Sequence, residues 1–257
     1  MNTEPKNLKV VILAAGEGKR FNSEDAKMPK AMRLAAGKPM LHYVLQSVDF
    51  VKNKKDIIIV VGYLKETIME AFPEHTFVIQ QIDRSLGYGT GYAVKCTERE
   101  VGYEAEDILV LMGDMPLVKK ETLLNLYREH KEKRNACTNL SVEVNEDLAL
   151  GRIVRDNDGN FLEIVENRDC TIEQRKIIEY NTGNAIFNSK KLFEQLANLK
   201  NNNKSGEYYL TDIPKLFLEQ GYRVGVHKSK NETEIFGANS MEELRVIEKI
   251  LRDNSTK

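Results

Sequence analysis

Residues 10–13 (Val-Val-Ile-Leu) form an apolar, largely β-branched run with no alternation, and they lead without a spacer into the glycine-containing turn at 14–18. Successive side chains of a strand point to opposite sides of a sheet, so an apolar run that does not alternate marks a strand buried on both faces. Such a strand needs covering layers above and below. That restricts the chain to a largely parallel sheet with helices on both sides. The next segments agree: Met40, Leu41, Val44, Leu45 and Val48 recur at helical spacing after Pro39, a residue suited to a first helical turn, and 57–61 is a second buried strand. A third strand is expected at 77–80, then the glycine-interrupted segment 86–91, a helix beginning near Tyr92, and a fourth strand at 108–111 ending at Gly113-Asp114. Strands separated by helices of this length are βαβ units, and their right-handed crossovers leave the ligand crevice at the carboxyl ends of the strands.

After Lys133 the pattern changes. Shorter strands are expected at 138–144, 153–155 and 161–165, with the hairpin turn Asn157-Asp158-Gly159 between the last two, so an antiparallel lobe is predicted there. Helical periodicity resumes at 190–199, 212–219 and 241–251, and the tail after Arg252 is expected to fray. Of the histidines, His42 and His130 lie in helical patterns, His75 in a loop and His227 after a strand; no Ser/His/Asp or Cys/His arrangement suggests a nucleophile.

Composition narrows the function. With 38 Lys+Arg against 39 Asp+Glu in 257 residues, the formal net charge is −1 and the signs are interspersed, so neither nucleic acid nor an anionic membrane surface is an expected partner. The longest apolar stretches are strand-sized, far below the roughly 20 residues of a membrane-spanning helix. Residues 1–9 are polar and the next apolar run is broken by Gly16, Glu17 and Gly18, so no signal-peptide core is present and a cytoplasmic location is expected. Cys96, Cys137 and Cys170 are widely spaced and odd in number, which reads as reduced packing thiols without a zinc site.

The strongest local signal is residues 13–20 (LAAGEGKR), with Pro29-Lys30 ten residues on. Small residues let a ligand approach the backbone, inward N–H groups form a concavity for anionic oxygens, and Arg20 and Lys30 would supply countercharge. Neither a Rossmann fingerprint nor a Walker A loop is present: Phe21 stands where the former needs a third glycine, and Gly16 and Gly18 are separated by one residue, not four. A tight strand-to-helix turn with solvated cations is the other reading. Asp114 closes a strand at the end of the sheet where phosphates would lie, which suits a magnesium ligand, although an aspartate after a strand is also an ordinary turn former. Gly87, Gly89, Thr90 and Gly91 could let a flat ring lie against backbone or simply start a helix. Glu166, Asn181 and Thr182 could hydrogen-bond sugar hydroxyls or serve as surface and capping residues.

Taken together, these residues resemble the sugar-1-phosphate nucleotidyltransferases, and within them the uridylyltransferase domain of the bacterial bifunctional enzyme that makes UDP-N-acetylglucosamine. The resemblance runs in order through LAAGEGKR, PKAM, GKPMLHYVL, LGYGTGYAV, ILVLMGDMPL, GRIVRDNDGNFLEIVENRD, EQRKIIEYNTGNAIF, GEYYLTDI and EIFGANSMEEL. The first two motifs are common to many nucleotidyltransferases, whereas GRIVRD, NTG and GEYYLTD point to the N-acetylglucosamine branch. The resemblance implies one α/β nucleotidyltransferase domain over 1–257, with a Rossmann-like, mostly parallel sheet flanked by helices. Its nucleotide-binding part would span about 1–135, a small antiparallel sugar-binding lobe about 136–230, and a C-terminal helix about 240–252.

It further implies that Leu13, Ala14, Ala15, Gly16 and Gly18 contact the nucleotide, that Arg20 and Lys30 hold its phosphates, and that Gln80, Gly89 and Thr90 read the uracil. Asp114 and Asn239 would hold Mg2+, and Gly151, Glu166, Asn181 and Thr182 would grip the amino sugar. The implied reaction is in-line attack of N-acetylglucosamine 1-phosphate on the α-phosphorus of UTP, with Arg20, Lys30 and Asp114 as the catalytic groups and no protein nucleophile. The same chemistry on another sugar 1-phosphate or nucleotide, and an idle nucleotide-sugar sensor, are the competing expectations.

The chain also departs from the family pattern. Lys19 stands where the family usually has Thr, Met112 and Leu150 where Tyr is common, and Gly87 where a second glutamine often sits; residues 23–28 lengthen the segment before Pro29. The bifunctional enzyme continues into a left-handed β-helix of hexapeptide repeats, whereas this chain stops near Lys257. The expectation is therefore a monomer or small homo-oligomer with no β-helix trimer and no acetyltransferase activity.

Overall fold

The computed structural model of the protein describes residues 5–18, 21, 28–81 and 87–255. Lys19, Arg20 and residues 23–27 of the segment before Pro29 fall outside them. In chain order the elements are β1 (Leu8–Leu13), a short hairpin of β2 (Leu34–Ala35) and β3 (Lys38–Pro39), α1 (Met40–Ser47), β4 (Ile57–Val61), α2 (Lys65–Ala71), β5 (Thr76–Ile79), α3 (Thr90–Lys95), α4 (Glu98–Val101) and β6 (Asp107–Met112). There follow α5 (Lys120–Lys133), β7 (Cys137–Glu143), β8 (Arg152–Arg155), β9 (Phe161–Val165), β10 (Glu179–Asn188), α6 (Ser189–Leu196), α7 (Ile213–Glu219), β11 (Val224–Ser229) and α8 (Met241–Ser255).

Nine of these strands make one sheet in the order β11, β7, β10, β6, β1, β4, β5, with the β8–β9 hairpin hanging from β10. The parallel centre is β6, β1, β4 and β5. Its side chains divide by parity, which is why the strands read as continuous apolar runs. Val10, Ile12, Ile57, Ile59, Leu109 and Leu111 face a layer containing Leu41 and Val44 of α1 and Leu123 and Leu126 of α5. Val11, Ile58, Val60, Ile108 and Val110 face Ala93 and Val94 of α3, Leu192 and Leu196 of α6 and Phe217 of α7. The α/β expectation, a mostly parallel central sheet covered on both faces, is what forms.

The antiparallel part does not stand apart from this sheet. β10 runs antiparallel to both β6 and β7 in its middle, and β11 pairs parallel with β7 at the edge. The β8–β9 hairpin projects from the sheet, joined to β10 at Arg152↔Tyr180. Sequence patterning places His130 in a helix, which α5 is, but leaves β10 unmarked, because β10 is interrupted by Asn181, Thr182, Gly183 and Asn184. His227 lies within β11, not after it, and α8 continues through Ser255 where fraying from Arg252 was expected.

The winding direction fixes where a ligand can enter. β4 and β5 lie on one side of β1, and the chain then crosses to place β6 on the other side. Ligand crevices open at such a reversal, outside the carboxyl ends of the strands. Here that point is Leu13, whose register partners are Val60 and Met112.

Candidate active site

The turn leaving β1 is held between two glycines at the ends of its neighbours. A Cβ on Gly62, after β4, would lie 3.0 Å from Ala15 Cβ, and one on Gly113, after β6, would lie 2.9 Å from the Leu13 carbonyl oxygen. Their small size lets residues 13–15 sit between two strand ends, tied by hydrogen bonds from Ala14 N to Val60 O (2.9 Å) and from Gly113 N to Leu13 O (3.0 Å). A Cβ on Gly16 would meet nothing within 4 Å, so this position opens onto free space. Gly18 has φ +69° and packs toward Lys30 and Phe21. It shapes the turn and does not itself line the cleft.

The cleft over this turn is lined by Leu13, Ala14, Ala15, Gly16, Lys30, Gln80, Gly89, Thr90 and Asp114, all expected from the sequence. Tyr88 and Glu207 also line it and were not expected to. Gln80 is buried, with its backbone N–H donated to Val61 O at 2.8 Å. The segment carrying Gly89 and Thr90 is stitched to residues 208–210: Tyr208 N donates to Tyr88 O and Gly91 N to Tyr208 O, both at 2.8 Å, and Leu210 N to the Thr90 hydroxyl at 3.0 Å. This gives the GEYYLTDI motif a concrete job, to form the wall behind the glycines.

At the phosphate end, Lys30 draws two distant stretches of chain together. Its ammonium forms an ion pair with Asp114 Oδ2 and donates to Asn239 Oδ1 at 2.7 Å. Gly237 allows the second stretch to lie against the first, since a Cβ there would be 3.4 Å from Asp114 O, and Ala238 N donates to that oxygen at 3.3 Å. Asn239 is fixed by the start of α8. Ser240 and Glu243 form a reciprocal capping box, with Ser240 N on Glu243 Oε2 (3.0 Å) and Glu243 N on Ser240 Oγ (3.2 Å), and Asn239 N shares the same carboxylate oxygen. Leu244 and Ile247 then bury α8 against Met40, Leu117 and Ala238. The Ser-x-x-Glu spacing is a local helix-start signal, but its consequence for Asn239 depends on the fold.

These atoms fit a hard divalent cation. A cationic ammonium already lies between one carboxylate oxygen and one amide oxygen, and Mg2+ takes one or two protein carboxylates with phosphate oxygens and water completing its shell. Among the described residues no three His, Cys, Asp or Glu side chains are grouped to hold a metal by themselves. Any such ion would therefore depend on ligand oxygens. Arg20, expected beside the phosphates, lies outside the described residues.

A second cavity adjoins the first and shares Thr90 and Met112 with it. It holds all four residues expected around a sugar, Gly151, Glu166, Asn181 and Thr182, with Leu150 and Asn139 as further lining. The two volumes are about 210 and 200 Å³. Each is smaller than the roughly 300 Å³ at which ordinary ligand sites begin, and together they exceed it. Gly183 (φ +80°) places a bulge in β10 and lets Met112 pack against it; a Cβ there would be 3.0 Å from Met112 Cγ. The Thr182 hydroxyl is already donated to Leu140 O at 3.0 Å and accepts from Asn184 N. Thr182 therefore holds the bulge as well as lining the cavity.

Burial pushes the Glu166 carboxyl above its usual range, against the hydrogen bond it accepts from Thr211 Oγ1 at 2.8 Å. Behind it, burial and then the charges of Glu166 and Asp169 push Asp212 up to about 6. An acid raised on folding favours the folded state most below its unfolded pKa, and that advantage is lost as pH climbs through the folded value. Asp212→Asn is accordingly expected to stabilise the protein at pH 8 and leave it unchanged near pH 3. The gain should be on the order of 1 kcal/mol once solvent screening is allowed for. Thermal melts of both proteins across pH 3–8 check this, and a constant difference would contradict it.

Thr138, His130 and Asp107 also meet in a hydroxyl–imidazole–carboxylate order, with contacts of 3.0 and 3.3 Å. All three are at most 2% exposed, and Asp107 begins β6 at the end opposite Asp114. Burial raises the Asp107 pKa, but hydrogen bonds from His130 and Lys131 outweigh it and leave the carboxyl below its usual range. With no opening to solvent, this is a packing network and not a nucleophile.

Residues 10–212 match the family described as MobA-like NTP transferase domain. The chain is 38% identical over 246 residues to the bifunctional protein GlmU of Clostridioides difficile (strain 630), covering 96% of this chain and 52% of that protein. It is 37% identical over 247 residues to bifunctional protein GlmU of Alkaliphilus metalliredigens (strain QYMF), covering 95% and 52%. The chain thus spans about half the length of the curated relatives it matches. A solved structure described as a putative glucose-1-phosphate thymidylyltransferase from Bacillus anthracis shares the fold, with TM-score 0.76, 20% identity and 96% coverage of each chain. The resemblance drawn from the motifs is borne out.

Proposed function

Because this chain belongs to the family of MobA-like NTP transferase domains and is a nucleotidyltransferase, we propose that it transfers UMP from UTP to N-acetylglucosamine 1-phosphate with the help of Mg2+. The observation that carries this reading is the pair of joined cavities, one ending at Lys30, Asp114 and Asn239, the other lined by Glu166, Asn181 and Gly151.

Both substrates are anions. Like charges about 4 Å apart in a partly buried site repel by roughly 4 kcal/mol, so countercharge and positioning are what such a site must supply. Lys30 neutralises triphosphate oxygens, and the free space at Gly16 admits them against the backbone. Asp114 and Asn239 would hold the metal, which when bound supplies Lewis-acid stabilisation of the transferring phosphoryl group. Gln80, Gly89 and Thr90 orient the base. Glu166, Asn181 and Asn139 offer the sugar hydrogen-bonding groups whose burial makes an unpaired partner costly. The sugar phosphate oxygen then attacks the α-phosphorus and pyrophosphate leaves, with no covalent protein intermediate. Among the described residues no helix is long and apolar enough to cross a membrane. The reading places the activity in the cytoplasm with its soluble substrates, on a monomer or small homo-oligomer.

Pyrophosphate release measured over UTP, dTTP, CTP and GTP with acetylated and unacetylated sugar 1-phosphates tests the proposal. UTP with N-acetylglucosamine 1-phosphate is expected to be fastest, to stop with chelator and to resume with Mg2+. A different preferred pair would move the specificity, and no turnover of any pair would sink the reading.

A further inference from the structure

Arg152 is fully buried, yet it lines neither cavity. It is the first residue of β8, directly after Gly151, and its guanidinium serves the backbone around it. One terminal nitrogen donates to Leu148 O (2.8 Å), to Leu150 O and to Asn167 Oδ1 (3.0 Å), and the other to Asp147 Oδ1 (2.7 Å). The guanidinium carbon lies 4.5 Å from the centre of the Tyr180 ring. Tyr180 works on the same segment: its hydroxyl donates to Glu146 O at 2.5 Å and accepts from Leu148 N at 3.3 Å.

Residues 144–151 have no regular structure of their own. Burying a cation is expensive unless it is well hydrogen-bonded; the Arg152 Nε has no partner among the described residues, so its two terminal nitrogens carry all these contacts and fix their acceptors relative to one another. Here the donors reach two segments at the second cavity, Leu150-Gly151 and Asn167 next to Glu166, which the β8–β9 pairing at Arg152↔Val165 brings side by side. Gly151 completes the link, since its carbonyl accepts from Asn181 N at 2.8 Å and a Cβ on it would lie 3.6 Å from Glu166 Cδ.

We propose that Arg152, stacked on Tyr180, is the positioning residue that sets the distance between the Leu150-Gly151 wall and Glu166, and so determines the affinity for the sugar phosphate. The proposal rests on the second cavity being the sugar site. Lysine keeps the charge but cannot serve four acceptors in fixed directions, and phenylalanine at 180 keeps the ring while removing the hydroxyl. In the full chain, Arg152→Lys is expected to raise KM for the sugar 1-phosphate about 10-fold or more, with KM for the nucleoside triphosphate within about twofold. Tyr180→Phe is expected to raise the former about threefold. Amide exchange at residues 148–150 should quicken in both variants while β1 stays protected. Equal rises in both KM values, a fall in kcat alone, or an unchanged sugar KM in folded variants would overturn the assignment. If Arg152→Lys does not fold, Tyr180→Phe decides by the same criteria. Absence of turnover by the unaltered chain would instead remove the reading of the cavity, and this assignment with it.

Discussion

Asp114→Asn is expected to lower kcat by about 10²–10³-fold, the cost typical of removing one group aimed at charge that develops in a transition state. The substitution keeps the shape of the side chain and removes only its charge. The backbone around it is held independently, by Ala238 N on Asp114 O and by the close approach of Gly237. Melting temperature should therefore change little while turnover collapses, and added Mg2+ should restore only part of the loss. Steady-state rates with saturating substrates and a thermal melt check both halves. A variant within about threefold of normal turnover would remove Asp114 from the phosphate site.

Gly89→Ala is expected to destabilise the protein by about 3 kcal/mol and to weaken both substrates together. Gly89 has φ +111° and ψ 172°, a conformation a side chain rarely adopts, and its Cβ would fall 2.6 Å from Tyr208 O and 2.8 Å from Tyr208 N. Those are backbone atoms with no rotamer to yield. One of the two segments must move, breaking the bonds that join Tyr88, Thr90 and Gly91 to residues 208–210. Because Thr90 edges both cavities, the damage should reach both. Gly16→Ala is the control: nothing lies within 4 Å of the added carbon, so its melting temperature should match the unaltered chain even if phosphate binding suffers. Equal melting temperatures for all three proteins would contradict the argument.

The tie between Gly89 and Tyr208 illustrates what the sequence could and could not carry. GYGTGY and GEYYLTDI are each visible as motifs, and the first suggests a flexible backbone, but nothing local says that one is the wall of the other. The same holds for Lys30, whose partner Asn239 is separated from it by 209 positions. Glycines were legible as glycines, yet only the fold distinguishes Gly62 and Gly113, which admit a neighbouring chain, from Gly18, which turns its own.

The sequence by itself determined the layered α/β architecture, because burial on both faces is written locally as an unbroken apolar strand and helical faces are written as spacing. It also determined the chemical inventory of the site, since glycines, cations and a strand-ending carboxylate are readable residue by residue. Tertiary structure alone decided that β10 enters the middle of the sheet antiparallel, that its bulge sets Gly183 against Met112, and that two cavities share a wall at Thr90. These depend on which distant surfaces pack together, and the side-chain pattern of any one segment is compatible with many partners until the rest of the core has chosen among them.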